Sequence, residues 1–142
     1  MNSSEIKKYG KHIIDSSKCE FLGVFSRDTL PNQSALSRFP CCFISNTDVY
    51  KGTGKHWVVF YFNSSKDLEF FDSLGKDYVH YQFENPRTSY SSILSITRNN
   101  HRFQSSNSSL CGQYCLFFLF MRTHGHSFHQ IIDSFSLGSY SI

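Results

Sequence analysis

The residues with the most chemical potential lie at the start of one apolar stretch. LCGQYCLFFLFMRT spans 110–123, has the length of a helix, and carries Cys111 at its amino end. A thiol at a helix amino terminus feels the positive end of the helix dipole, which favours the nucleophilic thiolate. Gly112 has no side chain, so a substrate carbonyl could approach the backbone N–H groups closely. A cysteine in an apolar run is ordinarily a buried structural thiol. Cys115, one turn deeper, is read that way. A thiol nucleophile also needs a base, and the base needs an orienting acceptor. His56 opens HWVVFYFN at 56–63 and follows a glycine-containing turn. Asp72 closes the next apolar run, LEFFDSL at 68–74. If the two runs form a hairpin, Asp72 can accept a proton from one imidazole nitrogen and leave the other for the thiol. Acyl transfer further needs donors for a developing oxyanion. The Cys111 N–H and the side-chain amide of Gln104, before the loop leading to Cys111, are the candidates. Each of these residues alone reads as ordinary: an exposed histidine, a turn aspartate, a surface glutamine.

The elements that must hold these groups follow from pattern. Residues 3–17 predict a first helix, with Ser3 or Ser4 as N-cap and Ile6, Tyr9 and Ile13 as its apolar stripe. FLGVF at 21–25 reads as extended, and 26–40 as loop around Pro31 and Pro40. CCFISN at 41–46, HWVVFYFN and LEFFDSL are nearly continuous apolar runs. They predict an antiparallel meander buried on both faces. The segment 76–90 is ambiguous, with a helix over Tyr78–Phe83 ended by Pro86 as one reading. RFQ at 102–104 suggests a short strand, 105–109 a polar loop, 110–123 a core helix apolar all round, and 127–135 a last helix. The fold class is therefore α+β: a short mixed, mainly antiparallel sheet packed on a central helix that carries Cys111.

Composition sets the frame. The 142 residues suggest one domain spanning 1–142. Fifteen phenylalanines and 17% aromatic content exclude a disordered chain. The net charge of +3 permits weak nucleic-acid binding without requiring it. Five cysteines, an odd number, and no apolar signal core at the start point to free thiols in a reducing compartment. The expected setting is the host nucleus or cytoplasm, or a virion, rather than secretion. The longest apolar run is too short to cross a membrane.

Taken together, GKHW at 54–57, FFDSLG at 70–75 and the Gln104-to-Cys111-Gly112 segment resemble the adenovirus protease (adenain) family of clan CE. That clan also holds the SUMO and ubiquitin-like-protein proteases. The order His, acid, Gln, Cys-Gly matches the family and differs from papain-like enzymes, where Cys comes first. The seven-position spacing from Gln104 to Cys111 is similar to the adenovirus-type arrangement, which extends to large DNA viruses and virus-like Polinton transposons. SUMO proteases carry a shorter spacing. Asp72 in a DSL context looks more like the cellular branch. The resemblance implies a cysteine endopeptidase that works through a thioester and cuts structural proteins after small residues. It implies His56 as base, Asp72 as its orienting partner, Gln104 and the Cys111 N–H as oxyanion hole, and Trp57 beside the site. Trp57 and Gly112 are the expected substrate-binding residues. No cofactor is needed for the chemistry and no metal is expected. A peptide or DNA activator is known in the family, but residues 90–103 lack the cysteine that would tether such a peptide. A monomer acting on a protein substrate, away from membranes, is the simplest expectation. Three alternatives stand beside it. One is a deubiquitinase or deSUMOylase on the same fold. The second is a zinc-binding module using Cys111, Cys115, His124, His126 and His129. The last is a non-enzymatic interaction protein.

Overall fold

The computed structural model describes residues 1–15, 17–52, 54–105 and 109–136. Helix α1 (Ser3–Ile14) starts the chain, capped by Asn2 and not by either serine. The Asn2 side chain accepts from the Glu5 N–H while the Glu5 side chain accepts from the Asn2 N–H, a reciprocal capping box. The buried stripe is Ile6, Gly10 and Ile14, whereas Tyr9 is exposed. Gly10 is there for contact: a Cβ would lie 2.7 Å from the Phe21 ring. The helix thus sits close on strand β1 (Glu20–Phe25).

Strands β2 (Cys41–Asn46), β3 (Trp57–Ser64) and β4 (Asp67–Phe71) follow, and β5 (Ser95–Arg98) completes a five-stranded sheet in sequence order. The expected meander forms the middle, with Ile44 opposite Val59 and Phe60 opposite Phe70. The two outer strands pair parallel to their neighbours, so the sheet is mixed. Side chains alternate between faces as a pleated strand requires. Cys42, Ile44, Val59, Tyr61 and Phe71 face the helical layer of α1, α3 (Cys111–Thr123) and α4 (Phe128–Ser136). Phe43, Phe60, Phe62, Leu68 and Phe70 face the other way. There the chain between elements, including Tyr78, Phe83, Tyr90 and Ile93, covers them. Both faces are therefore buried, which explains the unbroken apolar runs.

Several local expectations give way. Residues 78–83 form successive turns, closed by hydrogen bonds from Tyr81 and Phe83 N–H to the Tyr78 carbonyl. Pro86 does not end a helix but begins one, α2 (Pro86–Ser89), at the first position, where its missing N–H costs nothing. Residues 102–104 form no strand. Phe103 and Gln104 instead donate their N–H groups to the Ser73 carbonyl. Helix α3 is not apolar all round in its burial: Phe120 is exposed and stacks on His124. On the buried side Arg122 forms a two-pronged ion pair with Glu69 of β4, both contacts 2.9 Å, and lies over the Tyr61 ring. Residues 106–108 of the polar loop before α3 lie outside the described residues. Among the described residues no helix is long and apolar enough to cross a membrane.

Candidate active site

His56 sits where the β2–β3 ladder runs out. Gly54, with φ of +80°, turns the chain into the strand, and Asn46 Oδ1 accepts from the Lys55 and Asp48 N–H groups. The His56 carbonyl accepts from Thr47 N–H at 2.8 Å. The backbone is fixed on both sides, so the imidazole is held by the sheet. Only 7% of the residue is exposed.

Asp72 is the first residue after β4 and is wholly buried. Its Oδ1 meets His56 Nε2 at 2.5 Å and accepts from Leu74 N–H. Its Oδ2 accepts from Lys76 N–H and from the Tyr81 hydroxyl at 2.5 Å. Four donors converge on two oxygens. Burial pushes the carboxyl toward protonation. The hydrogen bond and charge of His56, then Tyr81 and Leu74, prevail and hold it below the usual carboxylate range. The Asp72 backbone is clamped as well, since Asn99 Oδ1 accepts from its N–H and Asn99 Nδ2 donates to its carbonyl. Gly75 closes the turn at φ +71°, and a Cβ there would lie 2.6 Å from the His101 backbone.

With Nε2 engaged on Asp72, Nδ1 is the ring nitrogen left for Cys111. The two side chains are hydrogen-bonded. Cys111 is the first residue of α3, and its N-cap, Leu110, supplies no side-chain cap. Burial alone would raise the thiol. The His56 hydrogen bond, the backbone N–H groups of Trp57 and Gly112, and the His56 charge reverse this and lower it. Burial likewise opposes a charged His56, yet Asp72 and Cys111 push it up to about 9. Both shifts favour a thiolate–imidazolium pair. Cys115 is the contrast. It is fully buried, burial raises it well above the usual thiol range, and its Sγ donates to the Trp57 carbonyl at 3.2 Å. Cys115 is thus committed to the core beneath β3, and no group of three potential metal ligands converges among the described residues.

Gln104 is buried and lines the same cleft as His56, Trp57, Leu74 and Cys111. The cleft encloses about 840 Å³. Met1–Ser3 and the loop bearing Val49 and Tyr50 form its further walls. The Trp57 indole N–H donates to the Met1 carbonyl at 3.3 Å. Gly112 is buried, and a Cβ there would be 3.2 Å from Ile6 of α1 and 3.3 Å from the sulfur of Met1, itself a wall of the cleft. What Gly112 offers the site is its N–H, directed at the Cys111 sulfur. Sequence reasoning named His56, Asp72, Gln104 and Cys111, and the fold gathers them. It missed Ser73, Tyr81 and Asn99, whose partners are set by tertiary approach. Only Ser73, directly beside Asp72, left a trace in the motif.

A nucleophile with a paired base, an oriented acid and amide donors at a cleft is the apparatus of acyl transfer. Residues 21–134 match the family model for the adenovirus endoprotease. The chain belongs to the adenovirus endoprotease family. That family consists of cysteine-type endopeptidases of clan CE. In three dimensions the chain is similar to the ASFV pS273R protease, with a TM-score of 0.62 and 20% identity over 93% of this chain and 61% of that one. It therefore spans about three-fifths of that protein's length. It is also similar to the central domain of the uncharacterised Lpg1148 protein of Legionella pneumophila, with a TM-score of 0.52 and 18% identity over 95% of this chain and 85% of that one. These likenesses show the α+β cysteine-proteinase fold. No curated protein matches the sequence.

Proposed function

We propose that this chain is an active cysteine endopeptidase in which Cys111 attacks the scissile carbonyl. The observation that carries the reading is the Cys111–His56–Asp72 relay, with the thiol lowered and the imidazole raised toward an ion pair. The thiolate adds to the carbonyl carbon, and the carbonyl electron pair moves to oxygen. The Cys111 N–H and the Gln104 amide are the donors assigned to that oxyanion. His56 then gives its proton to the leaving amine, leaving a thioester on Cys111. Neutral His56 next takes a proton from water, whose oxygen attacks the thioester; the C–S bond breaks, its electrons return to Cys111 as thiolate, and the acid product leaves. Asp72 orients His56 without becoming protonated itself.

Trp57 and Leu74 line the cleft together with the nucleophile, and a protein substrate with small residues at the scissile bond is proposed by likeness of family. Processing of structural proteins of a virus or virus-like element is the substrate role proposed, by likeness of family. The chemistry is proposed to need no cofactor, because every group in the relay comes from this chain. The test is hydrolysis by purified protein under reducing conditions, without DNA or added peptide. The panel holds peptides with small residues before the cut and ubiquitin and SUMO fusions, with Cys111→Ala as control. Cutting of the peptides, lost in Cys111→Ala, supports the reading. Cutting of the modifier fusions alone transfers the chain to the deconjugating alternative. No cutting of any substrate by wild-type protein overturns catalysis by the unaided chain.

A further inference from the structure

We infer that Ser73 is a positioning residue for the oxyanion hole, so that the single turn after β4 orients both halves of the catalytic apparatus. The inference rests on the peptidase reading and adds a residue to it.

Asp72 and Ser73 are successive, wholly buried residues with different partners. Asp72 holds His56 through its carboxylate. Ser73 holds Gln104 twice. Its carbonyl accepts the Gln104 N–H at 3.1 Å, and its hydroxyl donates to Gln104 Oε1 in a short hydrogen bond. A glutamine amide has one accepting and one donating end. With the oxygen turned to the buried Ser73, the donating NH₂ is at the amide's opposite end, and Gln104 lines the cleft together with Cys111. A flipped amide would present an oxygen to the developing oxyanion, which repels it. Gln104 and the His56–Asp72 pair come from segments far apart in sequence, so their relative placement needs a common anchor. The anchor is the turn itself. Gly75 packs on the His101 backbone and the Ser73 carbonyl takes two successive N–H groups, from Phe103 and Gln104.

This role predicts a separation of effects. Thiolate formation depends on His56 and Asp72, whereas oxyanion stabilisation depends on Gln104. Iodoacetamide alkylation reads the first, since displacing iodide creates no oxyanion. A peptide aldehyde reads the second: Cys111 sulfur bonds to the carbonyl carbon, and the oxygen takes up the negative charge and then the His56 proton.

The experiment compares wild type, Ser73→Ala, Ser73→Thr, Gln104→Ala and the Ser73→Ala/Gln104→Ala double variant. Ser73→Ala is expected to lower kcat roughly 10- to 100-fold with KM little changed, as loss of an oriented oxyanion donor does. Aldehyde affinity falls by a similar factor while the alkylation rate and its pH profile stay as in wild type. The double variant is no slower than Gln104→Ala, and Ser73→Thr, which keeps the hydroxyl, recovers most of kcat. Unchanged kcat in Ser73→Ala overturns the inference. So does a parallel fall in alkylation, which would mark general damage to the fold, or a double variant slower than Gln104→Ala. A wild-type protein that is alkylated at Cys111 yet neither cuts peptides nor binds the aldehyde refutes the peptidase reading, and this inference with it.

Discussion

Asp72→Asn perturbs the relay at its most heavily bonded point. In the folded protein His56 is raised from 6.5 to about 9, with Asp72 first among the groups that raise it. At about 1.4 kcal/mol per pH unit, the whole shift is worth roughly 3 kcal/mol. The His56 side chain is only 8% exposed, so solvent screens little of this. Asparagine keeps the shape but loses the charge. It also places an NH₂ where both positions face donors: His56 and Leu74 on one side, Lys76 and Tyr81 on the other. At least one buried donor is left facing another, at a cost of about 1–3 kcal/mol of stability. Three results follow. The alkaline limb of the activity profile moves from about 9 down toward 6.5. The turnover number falls by roughly 10²–10⁴, since the imidazole is left in the wrong tautomer. The pH dependence of stability changes too. A raised histidine contributes fully below its unfolded value of 6.5 and loses that contribution as pH rises through about 9. The lowered Asp72 contributes above 3.8 and loses it as pH falls through its folded value. Lowered Cys111 works the opposite way below its unfolded value, so the His56 contribution is read in Cys111→Ala: its melting temperature should fall as pH rises above 6.5, and the fall should flatten when Asp72→Asn is added. The assays are pH-dependent peptide hydrolysis, iodoacetamide alkylation and thermal melts. An alkaline limb that stays near 9 in the variant, with protein that melts normally, would refute the assignment of Asp72 as the group that raises His56.

Tyr81→Phe removes the hydroxyl on Asp72 Oδ2 and should lower kcat/KM roughly tenfold, the equivalent of about one hydrogen bond to a charge, in steady-state assays. Gly75→Ala forces a Cβ onto the His101 backbone at φ +71°, so denaturant titration should show a loss of about 2 kcal/mol or more. Arg122→Ala leaves the Glu69 carboxylate buried without its partner and should cost about 3–5 kcal/mol in the same titration. Because Arg122 lies about three turns along α3 from Cys111, activity per folded molecule should match wild type.

The central meander and α3 were legible because each is a long apolar run, and burial on both faces is what such runs encode. Strand β5 was not. Ser95, Ile96, Thr97 and Arg98 carry little apolar signal, and the segment is extended because β4 offers its backbone a parallel partner. The segment 78–83 shows the reverse failure. Its aromatic residues suggested a helix face, but Tyr78 and Phe83 are spaced to cover the Phe60–Phe70 side of the sheet from a chain of turns. In the site, the four residues with distinct chemical roles stood out by type and order. Ser73, Tyr81 and Asn99 are common polar residues, and apart from Ser73's place beside Asp72 nothing local distinguishes them from surface ones. Their importance comes from bonds across 31, 9 and 27 positions, which only the folded chain creates. Gly112 was legible as a required glycine, and the fold adds its close approach to Ile6 and Met1.

The most direct test of the account is to trap the covalent intermediate. Wild-type protein mixed with an activated ester of a peptide ending in a small residue is quenched in acid within the first turnover, then mapped by mass spectrometry. One acyl group per chain is expected, on Cys111 alone, lost on longer incubation and formed far more slowly in His56→Ala. An acyl group on another cysteine, or none while product accumulates, would contradict it.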